Sequence, residues 1–441
     1  MIQLSDHFNY KKLLRFTLPS IIMLVFTSIY GVVDGFFVSN YVGKVSFTAV
    51  NFIMPVLMIL GSLGFMFGTG GSALTAKTLG EGDNNKANKT FSLIVYSSIV
   101  CGIVLSVLGT IFIRTIASLL GAEGQLLDDS VLYGKIILLS LPAYILQFEF
   151  QCLFATAEKP TIGLYVTIAA GVTNIVFDAL FVAVFKWGLK GAAVATMISQ
   201  YVGGVIPLIY FGRNNKSLLR LGRTNLDIKA LGSVCINGSS ELMSNISTSI
   251  VSMLYNVQLL KYIGEDGVAA YGVLMYISLV FQAIFIGYSM GMSPIVGYHY
   301  GAKNNNELNS LLKKSLTIIS VFSILMFAAA YILSKPMSMV FVGYDQNLLK
   351  LTIRAFRIFS FSFLFSGFAI WGSSFFTALN DGIVSAEISF LRTLVFQIIA
   401  VLVFPLIWKV NGIWFSIVAA EIMAVIVTVL FLRAKKKKYG Y

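Results

Sequence analysis

Two carboxylates interrupt long apolar stretches of the sequence, Asp34 in FTSIYGVVDGFFVSN (26–40) and Asp178 in NIVFD (174–178). An ionisable side chain at membrane depth is costly and is therefore a functional candidate by default. Asn174 precedes Asp178 by four residues, so the two side chains share one face of a helix. Because two neighbouring carboxylates cannot both ionise cheaply, such a pair can share a proton. The sequence thus predicts an ion site on Asp34 and Asp178.

Each of these groups also has a structural interpretation. Asp34 can lie near a helix end and touch headgroups or water, and Asn174 with Asp178 can form a hydrogen-bonded pair that fixes helix packing. The ion-site hypothesis requires that the first, fourth, fifth and sixth apolar stretches enclose a cavity. Gly31 and Gly35 flank Asp34, and their small size predicts the close approach of another helix there.

Other polar side chains lie at similar depth. The fourth apolar stretch contains Glu149 and Gln151, and the sixth contains Thr196. Polar groups in such stretches normally face a bundle interior, a cavity or a partner. Glu149 either contacts a cationic substrate or lies at the inner mouth of a cavity. Glu241, in the seventh stretch, belongs either to a second polar cavity or to the end of its helix.

Three charged residues in the second half of the chain are predicted to be structural. Glu387 and Arg392 are five residues apart and nearly face each other on a helix, so we expect them to form a pair. Glu421 is expected to find its partner within the same half of the chain. None of the three is therefore a first choice for an ion site.

The composition indicates the kind of protein that must hold these groups. Of 441 residues, 57% are hydrophobic and 12% are charged, whereas soluble domains contain about 45–50% apolar and about 25% charged residues. The chain is therefore predicted to be an all-α integral membrane protein, because its apolar runs are too long for barrel strands. Twelve spans are predicted, roughly at 13–39, 47–77, 90–119, 130–156, 160–185, 190–212, 233–262, 268–300, 312–334, 348–378, 383–408 and 411–432.

The basic residues set the expected orientation. Twenty Lys and Arg side chains lie on the side of the N-terminus, including the terminal RAKKKK run, against eight on the opposite side. The positive-inside rule therefore predicts that both termini are cytoplasmic. The net charge of +13 does not predict a nucleic-acid partner, because the cations lie between spans rather than on one face.

The cysteines and histidines exclude two kinds of site. Cys101, Cys152 and Cys235 all lie in apolar runs, where packing is a better explanation than a disulfide framework. The sequence contains only His7 and His299, so no metal cluster is predicted.

The chain divides near its midpoint into two similar halves. A basic connection at 214–232 separates an N-lobe of six spans (1–213) from a C-lobe of six spans (233–434), and a basic tail follows at 435–441. Six spans in each half give the halves the same orientation, so a pseudo-two-fold axis along the membrane normal is predicted. Glycines recur between the halves at an offset of 221 residues: Gly43 with Gly264, Gly70 with Gly291, Gly80 with Gly301, and Gly191 with Gly412.

Five stretches spread over essentially the whole chain are characteristic: FTLPSIIMLVFTSIYGVVDGFFVSNYVG (16–43), GTGGSALTAKTLGEGD (68–83), NIVFDALFVAVFKWGLKGAAVATMISQ (174–200), MGMSPIVGYHYGAKN (290–304) and FFTALND (375–381). Together they resemble a known family, the multidrug and toxic compound extrusion (MATE) transporters, and in particular its bacterial DinF-like and MepA-like branch. The resemblance implies twelve helices in two six-helix lobes, arranged as a V around a central cavity. It also implies alternating-access export of lipophilic organic cations in exchange for H⁺ or Na⁺.

The same resemblance implies roles for individual residues. Pro19 matches a proline at which the first helix bends, since proline removes one backbone hydrogen bond. No cofactor is implied beyond the coupling ion, which is H⁺ or a Na⁺ at Asp34 and Asp178. The predicted cation-coupling residues are Asp34, Asp178, Asn174, Thr196, Tyr133 and Gln151, the last at a position where asparagine is commoner in the family. The candidate residues of the substrate cavity are Tyr30, Glu149 and Glu241.

Two other functions compete with this hypothesis. A lipid-linked oligosaccharide flippase of the same superfamily would need a cationic cavity, for which Lys135, Arg354 and Arg357 are the candidates. An intramembrane aspartyl enzyme would use Asp34 and Asp178 as a dyad, but the expected GxGD context is absent. The sequence thus predicts a transporter rather than an enzyme. We expect a monomer in the bacterial cytoplasmic membrane that acts on drug-like molecules.

Overall fold

The computed structural model describes residues 2–441, and within them all side chains except those of Val32, Gly35, Phe36, Ser39, Asn40, Lys44 and Val45. The described residues form helices and connections and contain no strand, which confirms the all-α prediction. The helices are α1 Tyr10–Phe37, α2 Lys44–Gly80, α3 Asn84–Leu119, α4 Gly124–Leu139, α5 Leu141–Thr156, α6 Pro160–Asp178, α7 Gly188–Gly212, α8 Ile228–Tyr262, α9 Glu265–Gly301, α10 Asn305–Val342, α11 Gln346–Ser360, α12 Phe363–Ala378, α13 Gly382–Phe390 and α14 Phe396–Tyr439.

These helices make twelve passes through the bundle. In the described part of the chain, 8 helices are long and apolar enough to span a membrane, or 10 if each of two bent pairs counts as one span. The bent pairs are α4 with α5, at 58°, and α11 with α12, at 49°. The 35-residue helix α8 adds an eleventh pass. The twelfth arises because the last apolar helix is broken at Lys409, where the backbone leaves helical geometry.

The backbone repeats itself between the two halves. Each half contains one bent helix pair as its fourth span. Directly after that span, Glu158 and Asn380 both adopt a left-handed backbone, with φ of 60° and 58°. Gly43 and Gly264 precede the second span of each half with φ of 110° and 89°, a conformation that glycine adopts without strain. The repeat predicted from the sequence is therefore present in the local geometry.

Both ends of the chain lie on one side of the bundle, which we call the terminal side. The backbone N–H of Phe8, just before α1, donates to Oε1 of Glu307 in the first turn of α10, at 3.0 Å. Gly440, just after α14, packs against Asn305 in the same turn. An even number of passes requires this arrangement.

The two lobes pack against each other through α2 and α8. A Cβ atom added at Gly70 would lie 2.0 Å from the carbonyl oxygen of Val234. One added at Gly238 would lie 1.9 Å from the carbonyl oxygen of Met66. No side chain fits at such distances, so the glycines allow the two helix backbones to touch. These positions lie in the terminal-side halves of both helices.

A reciprocal contact closes the ends of α2 and α9. A Cβ atom at Gly80 would lie 2.0 Å from the carbonyl oxygen of Tyr298, and one at Gly301 would lie 2.0 Å from that of Lys77. Gly80 and Gly301 are partners in the sequence repeat, so the contact follows the pseudo-two-fold axis. The lobes are therefore closed against each other on the terminal side.

The segment that precedes α1 reinforces this closure. Leu4 and Phe8 are fully buried although they lie outside the helices. The N–H of Leu4 donates to Glu158 of the N-lobe at 2.6 Å, and His7 Nδ1 contacts Glu307 of the C-lobe at 2.6 Å. Burial raises the pKa of the Glu158 carboxyl, which lies in the connection between α5 and α6. The segment thus ties the two lobes together.

The side opposite the termini is arranged differently. Here a core cluster forms that runs from Val38 to Ala193 and is built from N-lobe residues alone. The contacts between the lobes described above lie towards the terminal side. The inter-lobe contacts therefore form a seal on the terminal side, which fits the two-lobe arrangement that was expected.

Two boundaries differ from the predicted ones. α8 begins at Ile228, inside the connection predicted at 214–232, because the Asp227 carboxylate accepts two backbone N–H groups of the first turn, each at 3.0 Å. α14 continues to Tyr439, so most of the tail predicted at 435–441 is helical. The division of the chain into lobes remains a prediction from the repeat.

Replacing Gly238 with alanine is expected to force the lobes apart on the terminal side, because the added methyl group meets the backbone of α2. Spin labels at Lys86 and Lys303, exposed positions on the two lobes, should report a longer distance than in the otherwise unchanged protein. Gly232→Ala is the matched control in the same helix, since nothing lies within 4 Å of a Cβ atom there. The same label distance in Gly238→Ala and in the control would contradict the close packing.

Candidate functional site

Asp34 and Asp178 meet in the N-lobe, on the half of the bundle away from the terminal side. Asp34 lies near the far end of α1, and Asp178 is the last residue of α6, which packs on α1. The Asp34 side chain interacts with those of Asp178, Asn174 and Thr196. Asp178 and Asn174 are buried, at 0% and 2% exposure. The structure therefore brings together four of the six predicted coupling residues.

A glycine on α6 allows this approach. A Cβ atom at Gly171 would lie 2.5 Å from the ring of Phe26 and 3.0 Å from that of Tyr30, so α6 fits closely against α1 at this level. The close approach predicted at Gly31 is wrong, because nothing lies within 4 Å of a Cβ atom there and that face of α1 is open. Gly35 lies outside the described side chains.

The polar atoms of this group are buried without regular hydrogen bonds. Among the described side chains, Oδ1 of Asp34 and both carboxylate oxygens of Asp178 have no hydrogen-bond partner. The same holds for Nδ2 of Asn174 and Oγ1 of Thr196. Buried polar groups are normally satisfied, and leaving one unpaired costs about 1–3 kcal/mol. Such a cluster needs a proton or a cation to make it stable.

The two remaining predicted residues have different positions. Tyr133 on α4 is buried, interacts with Thr196 and lies within electrostatic range of Asp34 and Asp178. Its hydroxyl group can therefore supply a further oxygen to the site. Gln151 on α5 is also buried, but its side chain is not among those that interact with Asp34. Its participation remains a prediction.

The two helices that carry Asp34 and Asp178 pass from α-helical to π-helical geometry close to these residues. A π-helical turn, Ala179–Val184, begins directly after Asp178, and another, Val38–Val42, continues α1. Such turns are rare and occur frequently at functional sites. The sequence predicts regular helices here, because no propensity rule distinguishes a π turn from an ordinary α-helical one.

The three predicted cavity residues lie in distinct surroundings. Tyr30 is half-buried, interacts with Gln147 and lies within electrostatic range of Asp34. Glu241 on α8 is half-buried and lies within range of Arg392. Glu149 on α5 is fully buried, so it is not exposed to a cavity in this conformation. Their contact with a substrate remains a prediction.

α1 runs without a break through Pro19 in this conformation. The proline lies beside a contact between α1 and α9 of the other lobe. A Cβ atom added at Gly287 of α9 would lie 2.8 Å from the carbonyl oxygen of Ser20 and 2.6 Å from the Cα atom of Ile21. A bend at Pro19 would therefore move α1 against the other lobe. Its role as a hinge remains a prediction.

The charged residues of the C-lobe pair differently from the prediction. Arg392 pairs with Glu421, with Nε 2.9 Å from Oε2 and Nη2 2.9 Å from Oε1. The predicted pair of Glu387 with Arg392 is therefore wrong. A π-helical turn, Leu391–Val395, turns Arg392 towards α14, while Glu387 lines an open groove beside α8. The expectation that Glu421 finds its partner within its own half is confirmed.

The position that matches Asp34 in the second half is Tyr255, whose hydroxyl bonds neutral side chains and lies within electrostatic range of Glu421. Its hydroxyl donates to Oε1 of Gln397 at 2.9 Å and lies 2.9 Å from Oγ of Ser416. This network was not found from the sequence, although the repeat offset points to Tyr255. The two lobes are thus related in backbone but not in chemistry, and the unpartnered carboxylates belong to the N-lobe.

The donor set suits a proton or a hard cation. The described residues contain no group of three or more His, Cys, Asp or Glu side chains that could hold a metal ion. The site offers carboxylate, amide and hydroxyl oxygens instead, and hard cations prefer oxygen ligands. This chemistry is compatible with H⁺ or Na⁺.

Comparison with known proteins identifies relatives of the chain. The sequence profile of the MatE family matches residues 19–180 and, a second time, residues 242–403, which agrees with the internal repeat. The chain is 26% identical over 365 residues to the multidrug export protein MepA of Staphylococcus haemolyticus (strain JCSC1435), covering 81% of this chain and 80% of that protein. It is 24% identical over 427 residues to MepA of Staphylococcus aureus (strain MRSA252), covering 96% and 93%.

A solved structure has the same fold. It is the outward-facing conformation of a multidrug resistance MATE family transporter of the MOP superfamily, with a TM-score of 0.93 and 21% sequence identity. The match covers 98% of this chain and 97% of that one. At this identity the likeness establishes the arrangement of the helices.

Proposed function

The chain belongs to the MatE family of transporters, and from this premise we propose that it is a secondary active exporter of lipophilic organic cations, driven by H⁺ or Na⁺. The names of its MepA relatives support drug-like substrates. The observation that carries the ion coupling is the cluster of unpartnered oxygens at Asp34 and Asp178. This part of the proposal stands on the geometry of the site.

The orientation follows from the charges and the closure of the lobes. With twenty cations on the side of the termini against eight on the other side, the terminal side is cytoplasmic by the positive-inside rule. The lobes are closed on that side, which supports our proposal that this conformation faces outward. The ion site lies in the outer half and is thus placed to receive an ion from outside.

The proposed cycle uses the two ends of the cavity alternately. An ion entering from outside neutralises Asp34 and Asp178 and weakens the hold of the cavity on a cationic drug, which leaves outward. The contacts of α2 with α8 then separate, the ion leaves to the cytoplasm and the cavity takes up the next drug. The ion and the drug must each bind the two conformations with different affinity for this exchange to run.

The driving force is sufficient for a useful gradient. A membrane potential of 100 mV supplies about 2.3 kcal/mol for each elementary charge that moves inward. Since about 1.4 kcal/mol corresponds to a tenfold ratio, each net charge that moves inward supports a drug gradient of roughly fifty-fold. The exit of a monovalent cationic drug cancels one inward charge, so the membrane potential contributes only when at least two ions enter per drug, and a one-for-one exchange is driven by the concentration gradient of the ion.

The proposal is tested with purified protein in lipid vesicles that contain ethidium. Either a pH gradient or a Na⁺ gradient is imposed, one at a time, so that the ion flows in the direction opposite to ethidium export. Ethidium fluorescence reports transport. We expect one of the two gradients to drive ethidium against its own gradient. Ethidium movement that neither gradient changes would overturn the proposal of ion coupling.

The flippase alternative finds little support in the position of the cations. Lys135, Arg354 and Arg357 are exposed rather than gathered in the cavity. Arg357 lies over the ring of Tyr331 at 5.4 Å, on the α10–α11 face of the C-lobe. A pyrophosphate-linked lipid would need such cations to converge, so we retain drug export as the proposed function.

A further inference from the structure

A groove between α8 and α13 of the C-lobe contains a carboxylate that the proposed ion site does not use. The groove has a volume of about 420 Å³, and Glu387 of α13 forms part of its wall. The other wall residues are apolar or small, among them Cys235, Met243, Ile383 and Phe390. The groove reaches from the first residue of α13 to the last, which corresponds to about 12 Å along the helix axis.

Glu387 has no positively charged partner among the described side chains. Arg392 is close in sequence, but two of its nitrogens contact the carboxylate of Glu421 at 2.9 Å. Lys438 also lies beside α13, but its Nζ atom contacts Asp381, just before the helix, at 3.5 Å. Glu387 itself is exposed. The groove therefore presents one carboxylate whose charge is not balanced by the protein.

The groove adjoins the contact that seals the lobes. A Cβ atom added at Gly382, in the groove wall, would lie 2.5 Å from the Cα atom of Asn237 on α8, and the next residue, Gly238, touches α2. Nδ2 of Asn237 donates to Oδ1 of Asn380 at 2.8 Å. Asn380 in turn donates to the carbonyl oxygen of Ala73 on α2 at 3.3 Å. Separation of α2 from α8 therefore changes the border of the groove.

The groove lies in the terminal-side half of the C-lobe and opens to the membrane. α13 begins on the terminal side, and Glu387 lies five residues after its first residue, a rise of about 7.5 Å. At this level the contact of α2 with α8 closes the space between the lobes, so the groove does not lead into that space in this conformation. Ile236 and Ile383 in its wall are 53% and 64% exposed, as expected for side chains that contact lipid.

The charge and the walls of the groove fit a lipophilic organic cation. A carboxylate attracts a cation more strongly beside apolar walls than in water, because the local dielectric constant is lower. Phe390 contributes an aromatic ring, which attracts cations, and Met243 a flexible thioether that adapts to different shapes. An anion would be repelled by Glu387. An acyl chain of a lipid would leave the carboxylate unpaired in apolar surroundings, which is costly.

We propose that this groove is a loading site, at which lipophilic cations from the cytoplasmic leaflet bind beside Glu387 before they enter the space between the lobes. The inference rests on the proposed function and names the place where its substrate leaves the lipid. When α2 separates from α8, Asn237 and Gly238 become the edge of the opened space, and a cation held beside α8 enters there. An exposed ion pair is weak, so Glu387 releases the cation again.

Cys235 in the groove wall reports whether a ligand is bound. A protein whose only cysteine is Cys235, made with Cys101→Ala and Cys152→Ala, is placed in lipid nanodiscs and reacted with N-ethylmaleimide. The probe cation is tetraphenylphosphonium, and tetraphenylborate is the control ion of the same shape and opposite charge. We expect tetraphenylphosphonium to slow the reaction and tetraphenylborate to leave it unchanged. Because Cys235 is only partly exposed, Ile383→Cys in a protein without the native cysteines is the second label position.

Glu387→Gln should raise the tetraphenylphosphonium concentration that gives half-maximal protection about fivefold, which corresponds to the ~1 kcal/mol of an exposed ion pair. Glu387→Asp keeps the charge and should keep most of the protection. In vesicles, Glu387→Gln should raise the KM for ethidium by a similar factor and leave the maximal rate unchanged. Glu265→Gln is the matched control, since it removes another exposed carboxylate of the C-lobe, and it should change neither quantity.

Three results would overturn the loading site: equal protection by the two ions, protection that Glu387→Gln leaves unchanged, or no protection at either label position. The last result would indicate a groove filled by lipid. The proposed function is judged separately with Asp34→Asn. That variant should lose gradient-driven transport and keep full protection at Cys235, so failure of the loading site and failure of ion coupling give different results.

Discussion

Asp34→Asn is expected to reduce gradient-driven ethidium transport to the level of protein-free vesicles. The amide keeps the size of the carboxylate but cannot change its charge, so binding or release of H⁺ or Na⁺ no longer alters the site. Asp34 interacts with Asp178, Asn174 and Thr196 at the centre of the cluster, so its loss leaves Asp178 without the second carboxylate of the site. Ethidium binding, measured by fluorescence polarisation, should persist, because the drug does not need the ion in order to bind.

Asp178→Asn should give the same result, because the two carboxylates act as one site. Asp128→Asn is the matched control: it is also an aspartate in the N-lobe, but it pairs with Arg114 at the surface, with 66% of its side chain exposed. We expect full transport in that variant. Gradient-driven transport in Asp34→Asn at the rate of the control would contradict the role assigned to Asp34.

Arg392→Met is expected to destabilise the C-lobe by about 3–5 kcal/mol, because it leaves the buried Glu421 carboxylate without its cation. The side chains of this pair are only 13% and 5% exposed. Two Arg392 nitrogens contact the Glu421 carboxylate at 2.9 Å, so geometry and burial are both favourable. The unfolding midpoint in detergent, followed by tryptophan fluorescence, measures the loss.

The double variant Arg392→Met with Glu421→Leu should recover most of that stability, because it removes the unpaired charge as well as the pair. Arg114→Met is the control at an exposed ion pair, where the two side chains are 64% and 66% exposed, and it should cost less than about 1 kcal/mol. If Arg392→Met lowers the unfolding midpoint no more than Arg114→Met does, the Arg392–Glu421 pair does not stabilise the C-lobe.

The fold was predictable because it depends on signals that are local or repeated. Length and hydropathy define the spans, and glycines at a fixed offset define the two halves. The close inter-lobe contacts at Gly80 and Gly301 follow the same offset. Boundaries were less predictable: α8 starts early because the single side chain of Asp227 caps it.

The candidate ion site was predictable because a carboxylate at membrane depth is rare and costly, which singles out Asp34 and Asp178. Pairing between distant residues was not predictable. Arg392 lies five residues from Glu387 but pairs with Glu421, 29 residues away in the chain, because a π turn changes the direction of its side chain. Nor does sequence spacing reveal that Glu149 is fully enclosed while Glu241 is half-buried, since that depends on how the lobes meet.

The central claim is that Asp34 and Asp178 couple the movement of an ion to that of a drug, and reversed exchange tests it most directly. Vesicles containing the purified protein are given an ethidium gradient and no ion gradient, and the lumen pH and Na⁺ content are followed. We predict that ethidium leaving the vesicles draws one of these ions inward and so builds up a gradient of that ion, and that Asp34→Asn shows no such uptake. Ethidium moving down its gradient through the unchanged protein, with no opposite movement of either ion, would contradict the account.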